Sequence, residues 1–162
     1  MRRTAAGTFL VTHMDWNRVA EYDAAGKEIW ALAVLSPWAA LRLPNGNTLV
    51  SSNRSFVREF TPSGEIVWEY TKEDAAKAGI PLYNCQGMQR LKNGNTVISS
   101  WCANGIKNPA DWPGSVQFIE VTPSKEIVWT LRSWEGDADF GPATTIQLLD
   151  EPGVPEKGEL IR

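Results

Sequence analysis

The chain has 162 residues, 43% of them hydrophobic and 22% charged, which is enough for one domain with a sizeable core. Its net charge of −3 and isoelectric point near 5.2 argue against a nucleic-acid backbone or an anionic membrane as its partner. No run approaches the ~18 apolar residues of a spanning helix. The basic start Met1-Arg2-Arg3 leads into an apolar run, Thr8-Phe9-Leu10-Val11, too short for a signal peptide. No targeting segment is therefore expected: either the protein is cytoplasmic or the sequence has lost its natural N-terminus.

Internal periodicity organises the rest. A first unit, about 1–36, carries strand patterns near 1–3, 8–13, 17–23 and 27–33. Its segment Glu21-Tyr22-Asp23-Ala24-Ala25-Gly26-Lys27-Glu28-Ile29-Trp30 returns in the second unit as Glu59-Phe60-Thr61-Pro62-Ser63-Gly64-Glu65-Ile66-Val67-Trp68. It returns again in the third as Glu120 to Trp129, always with nine positions from Glu to Trp.

The second unit, about 37–74, has strand patterns near 38–43, 47–52, 55–61 and 65–70. Asn45-Gly46 between β-prone runs predicts a two-residue type I′ hairpin turn, and Asn93-Gly94 repeats it in the third unit. Pro62-Ser63-Gly64 marks the second turn of the unit. Lys125 stands where Gly64 stands, so that turn must accept a non-glycine residue. A helical insert follows at about 71–80, with Thr71 as N-cap, Glu73 and Asp74 in the first turn, and Gly79 and Pro81 ending it.

The third unit, about 85–133, has strand patterns near 86–92, 95–101, 115–122 and 126–132. A loop rich in Gly, Pro and Asn, Cys102 to Ser115, interrupts it, and loops this long usually serve something. Beyond it, Thr145 to Asp150 aligns with Met88 to Asn93, and Gly158 to Arg162 resembles another second strand, giving a partial unit at 142–162. Two hairpins in series make a four-stranded antiparallel sheet. The expected fold is all-β: a β-propeller of four-stranded blades, about three and a half in this chain. Trp30, Trp68 and Trp129 are then packing residues between blades. Since rings close with about four to eight blades, two explanations offer themselves. Either the chain is a piece of a longer propeller, or it is a homo-oligomer in which a second copy completes the ring.

The motif Asn-Gly-Asn-Thr-Leu-Val-Ser followed by Glu-Phe-Thr-Pro-Ser-Gly-Glu-Ile-Val-Trp resembles the bacterial β-propellers of the pyrroloquinoline-quinone-repeat and arylsulfotransferase-like type, over about residues 1–150. That resemblance implies the architecture. Quinoproteins of that type hold their cofactor with an adjacent cysteine pair and a calcium site. No adjacent cysteines occur here, so no cofactor is expected.

Several residues are candidates for chemistry. His13, the only histidine, ends the second strand of the first unit, where Ser52 and Ser100 stand in the others, and is the candidate general base. Trp38, Gln86, Ser100 and Trp101 share the channel rim with it and offer stacking faces and hydrogen-bonding groups for a carbohydrate or another small polar ligand. Counting outward from a two-residue Asn93-Gly94 turn makes Cys85 and Cys102 a facing, non-hydrogen-bonded pair with Cα atoms about 4.5 Å apart. A disulfide there would contribute ~3 kcal/mol and imply a secreted or periplasmic protein. Two free thiols, or a metal site that also recruits His13, are the alternatives. Glu135, Asp137 and Asp139 lack the spacing of a calcium loop and read as a solvated loop. Lys107, Asp111 and Trp112 are candidates for a lid. The primary reading is a ligand- or partner-binding scaffold. Its rivals are a transferase or lyase-type enzyme using His13, and a purely structural interaction module.

Overall fold

The computed structural model describes residues 1–146 and 148. It is built from three four-stranded antiparallel sheets, each running in chain order from its inner to its outer strand. The first contains β1 (Arg2–Arg3), β2 (Phe9–His13), β3 (Arg18–Tyr22) and β4 (Glu28–Ala33). The second contains β5 (Pro37–Arg42), β6 (Thr48–Ser52), β7 (Phe56–Phe60) and β8 (Ile66–Thr71). The third contains β9 (Met88–Arg90), β10 (Thr96–Ser99), β11 (Phe118–Val121) and β12 (Ile127–Leu131). These are propeller blades, and each expected strand position is filled. The partial unit at 142–162 falls mostly outside the described residues.

Each sheet has a turn end and a loop end. At the turn end, Leu43 N–H donates to Asn47 O and Gly46 N–H to Leu43 O; the same pair of bonds recurs at Leu91, Asn95 and Gly94, and at Thr61, Glu65 and Gly64. These loops hold three residues with only the third left-handed, at φ 86° for Gly46 and 88° for Gly94. The type I′ expectation is thereby corrected. Asn45 and Asn93 do not take positive φ; instead their side-chain oxygens accept the N–H groups of Asn47 and Asn95, an Asx arrangement.

The longer turn shifts the register of the β9–β10 hairpin by one residue: Arg90 faces Thr96 and Met88 faces Ile98. Nearer the loop end, Asn84 bridges Trp101. Cys85 and Cys102 therefore lie on opposite sides of that bridge rather than facing each other. Both are buried free thiols, and burial raises the Cys85 thiol above its ordinary pKa.

Alternation along the strands sends one face of each sheet to each neighbour. Between the first and second sheets lie Leu10, Val19, Ala40, Val50, Phe56 and Phe60. Between the second and third lie Leu41, Leu49, Val57, Tyr70, Met88, Ile98 and Ile119, with Cys85 among them. The short helix α1 (Lys72–Lys77) fills the gap after β8. It begins at Thr71 with a capping box closed by Asp74, as its sequence dictates. Burial, with Asp74 and Cys85 nearby, pushes the Tyr70 phenol up to about 12.

A clasp repeats at each closed junction and accounts for the Glu-to-Trp spacing. Glu21 in β3 pairs with Arg42 in β5 at 2.5 Å, and Glu59 in β7 pairs with Arg90 in β9 at 3.0 Å. Each arginine also stacks on the tryptophan of the preceding sheet: Arg42 lies 4.5 Å from the Trp30 ring and Arg90 lies 5.0 Å from that of Trp68. Each indole N–H then donates 3.0 Å to a carbonyl in the next sheet's outer turn, Trp30 to Pro62 and Trp68 to Pro123. A hydroxyl from each second strand reaches the next unit's first strand: Thr12 to Trp38 O, Ser51 to Gln86 O and Ser99 to Thr144 O.

Candidate functional site: a polar cleft at the loop end

At the loop end, the connections between strands two and three meet the links between sheets. Met14, Asp15 and Asn17 come from the β2–β3 loop, and Leu35 and Ser36 from the link between the first two sheets. Asn53 and Arg54 come from the β6–β7 loop, Asn84 from the link to the third sheet, and Asn104 from the long third-sheet loop. Together they line a cleft of about 520 Å³ to which all three sheets contribute.

Local backbone geometry fixes its walls. Asn17 sits at φ 53° and Ser36 at φ 44°. The Asn17 side-chain oxygen accepts the Ser36 N–H at 2.8 Å, tying two walls together. Left-handed non-glycine residues persist only where their surroundings hold them. Asn53 N–H₂ contacts Met14 Sδ at 3.1 Å, and its oxygen lies 3.5 Å from the Gln86 side-chain nitrogen. Gln86 is 2% exposed, and its side-chain oxygen has no partner among the described residues. A buried amide oxygen left unpaired is costly, and it belongs to the amide that touches the cleft wall. Asn84 and Asn104 make no side-chain hydrogen bonds, and Arg54 and Asp15 make no ion pairs, among the described residues.

The structure distributes the residues singled out from the sequence. Trp38 is exposed, Gln86 and Ser100 are buried, and Trp101 is half-buried. The Ser100 hydroxyl accepts the Tyr83 N–H and the Ser52 hydroxyl donates to Leu35 O, so both fasten the incoming link between sheets. His13 stands apart from them, on the face of the first sheet turned away from the second. Its Nε2 lies 2.9 Å from the Tyr22 hydroxyl, and its ring stacks on Trp16 with centroids 5.0 Å apart. In the long loop, Trp112 N–H donates to Ile106 O, while Lys107 and Asp111 point to solvent; the loop reaches the cleft through Asn104 instead. Glu135, Asp137 and Asp139 are exposed, and no group of metal-ligating side chains converges among the described residues.

No protein-family model matches the chain, and no curated protein matches it. Solved structures do. A protein of unknown function from Bacteroides caccae aligns with TM-score 0.70 at 22% identity, over 89% of this chain and 51% of that one. Virginiamycin B lyase from Staphylococcus aureus aligns with TM-score 0.55 at 15% identity, over 85% and 41%. A streptogramin B lyase aligns with TM-score 0.56 at 14% identity, over 90% and 43%. At these identities the likeness is one of fold. This chain spans about half or less of each of these neighbours.

Proposed function

We propose that this chain is a ligand-binding propeller scaffold whose loop-end cleft takes a small polyhydroxylated molecule of the carbohydrate class. The observation that carries the reading is the set of unpartnered amides, Asn84 and Asn104, beside Asn53 in one cleft, with the buried Gln86 amide behind Asn53. An amide offers donors and an acceptor together, which suits neighbouring hydroxyls that do both. Arg54 adds a forked donor, while Leu35 and Met14 supply apolar surface for ring C–H groups. The resemblance to quinoprotein-type repeats serves this reading only as architecture, with the tryptophan clasp as its mark, and no cofactor is part of it.

The test is calorimetric titration with the ligands picked out by a glycan array. Binding that weakens about tenfold or more in both Asn53→Ala and Arg54→Ala, with unchanged melting, supports the cleft. Binding untouched by either variant but lost in Trp38→Ala moves the site to the channel rim and overturns this placement.

A lyase reading draws on one contact. His13 is held by the Tyr22 hydroxyl, the kind of contact that orients a general base. Two of the similar structures are lyases, one of which has a catalytically inactive histidine-to-alanine form. Turnover of a streptogramin-type substrate lost in His13→Ala would favour this reading over a scaffold.

A further inference from the structure

The clasp between sheets is a matching rule with two halves. The leading sheet presents a carboxylate on its third strand and an indole on its fourth. The following sheet presents an arginine on its first strand and a carbonyl in its outer turn. The two closed junctions satisfy both halves, and the two outermost faces carry one half each. On the first sheet, Arg3 occupies the place of Arg42 and Arg90, and Ala24 that of Pro62 and Pro123. Arg3 is exposed and has no ion pair among the described residues. On the third sheet, Glu120 occupies the place of Glu21 and Glu59, and Trp129 that of Trp30 and Trp68. Glu120 accepts only from Asn95 at 2.7 Å, and Trp129 is 40% exposed, its N–H without an acceptor among the described residues.

Burial points the same way. All of β6, Thr48 to Ser52, is buried between two sheets, whereas in β2 only Leu10, which faces the second sheet, is buried. Phe9, Val11 and His13 occupy positions whose counterparts are covered by a preceding sheet. The open face of the first sheet therefore has the composition of a junction without its neighbour.

We propose that the open face of the first sheet docks the third sheet of a second copy of this chain, with Arg3 between Glu120 and Trp129 and the Trp129 N–H on the Ala24 carbonyl. The arrangement is reciprocal, so two copies form two such junctions and three sheets from each close a ring of six. The chain's own Thr144 already receives the Ser99 hydroxyl, as Gln86 receives that of Ser51. It thereby supplies the loop-end half of the first strand that β1, only two residues long, lacks. Docking also requires Ile146 and Leu148 to leave the Val97–Phe118 cluster they pack against, because β1 of the partner takes that place. It covers His13, so a ring closed this way and a catalytic His13 exclude one another.

Light scattering behind a sizing column decides the matter. The intact chain should run at twice 18.0 kDa. Arg3→Glu and Glu120→Arg should each weaken the dimer about tenfold or more, and the double variant should restore it by rebuilding the pair in reverse. Should Glu120→Arg unfold the third sheet, Trp129→Ala tests the same contact at a ring already partly exposed. A monomer at ~100 μM overturns the proposal, as does a dimer indifferent to Arg3→Glu and Trp129→Ala, or a double variant that folds but stays monomeric.

Discussion

At the turn end of the sheets, six hairpins among the described residues close on the same three-residue loop, and five of them place glycine at the left-handed position. At the loop end, Asn17, Ser36 and Ser55 take left-handed backbone beside Gly79, Gly136 and Gly141, and the loops between second and third strands run to four, three and eighteen residues. Glycine reaches that conformation without strain, whereas asparagine and serine need their surroundings to hold them there. The turn end also holds both arginine clasps. The molecule thus puts its repeated, low-strain chemistry where the sheets are locked together, and its varied, strained chemistry where a ligand can reach. This is the usual division between a scaffold and the loops it positions.

The hardest blow to that division would fall on a clasp. Arg90→Ala removes the partner of Glu59, a carboxylate only 6% exposed, which would keep just its bonds to Asn45 and Asn47. An uncompensated buried charge costs about 3–5 kcal/mol. Chemical denaturation should report a loss in that range. A loss under about 1 kcal/mol would mean that the clasp decorates the junction rather than holding it.

A smaller effect separates backbone strain from crowding within the turn end. Gly46→Ala and Gly94→Ala both force a side chain into left-handed backbone, which costs about 1–2 kcal/mol. A Cβ at Gly46 meets nothing within 4 Å, whereas at Gly94 it meets Pro123 Cγ at 3.3 Å. Thermal melts should therefore rank Gly94→Ala as the more damaging. Equal losses would show that the neighbouring turn yields freely.

What the sequence disclosed follows the range of the interactions. The Glu-to-Trp spacing and the paired turns disclosed the strands, because hairpins are local. Thr71, Asp74 and Gly79 disclosed the helix, because caps are local too. The register of the β9–β10 hairpin did not come through: Asn-Gly reads as a two-residue turn, while here asparagine acts through its side chain and one extra residue enters the loop. That slip separated Cys85 from Cys102. The purpose of the repeated glutamate was equally hidden, since its arginine lies in the next unit. The cleft was the least legible part. Asn17, Asn53, Asn84 and Asn104 sit in four different connections, and only the arrangement of the sheets brings them together.

Lys125 is the exception that sharpens the comparison, since it takes φ 73° in a turn where its five counterparts are glycine. Its ammonium reaches Asp74 of α1 at 3.0 Å, so the strained residue ties the helical insert to the third sheet. Burial alone would raise the Asp74 carboxyl. Hydrogen bonds from Lys125, Lys77 and the Thr71 backbone N–H, with the Lys125 charge, overcome it and hold that carboxyl below its ordinary range. The folded chain then binds this proton less readily than the unfolded chain does. Asp74 accordingly stabilises the fold at pH values above the ordinary carboxylate range, and that contribution fades as the pH falls through its depressed value. Unfolding measured from pH 7 down to pH 3 should find Asp74→Asn less stable than the parent at neutrality, with the gap narrowing on acidification. Lys125→Gly should shrink the same pH dependence while relieving the strained turn, so its stability at neutrality should change little. A gap between Asp74→Asn and the parent that is constant with pH would mean that the link holds by shape rather than by charge. The strain at Lys125 would then be unexplained.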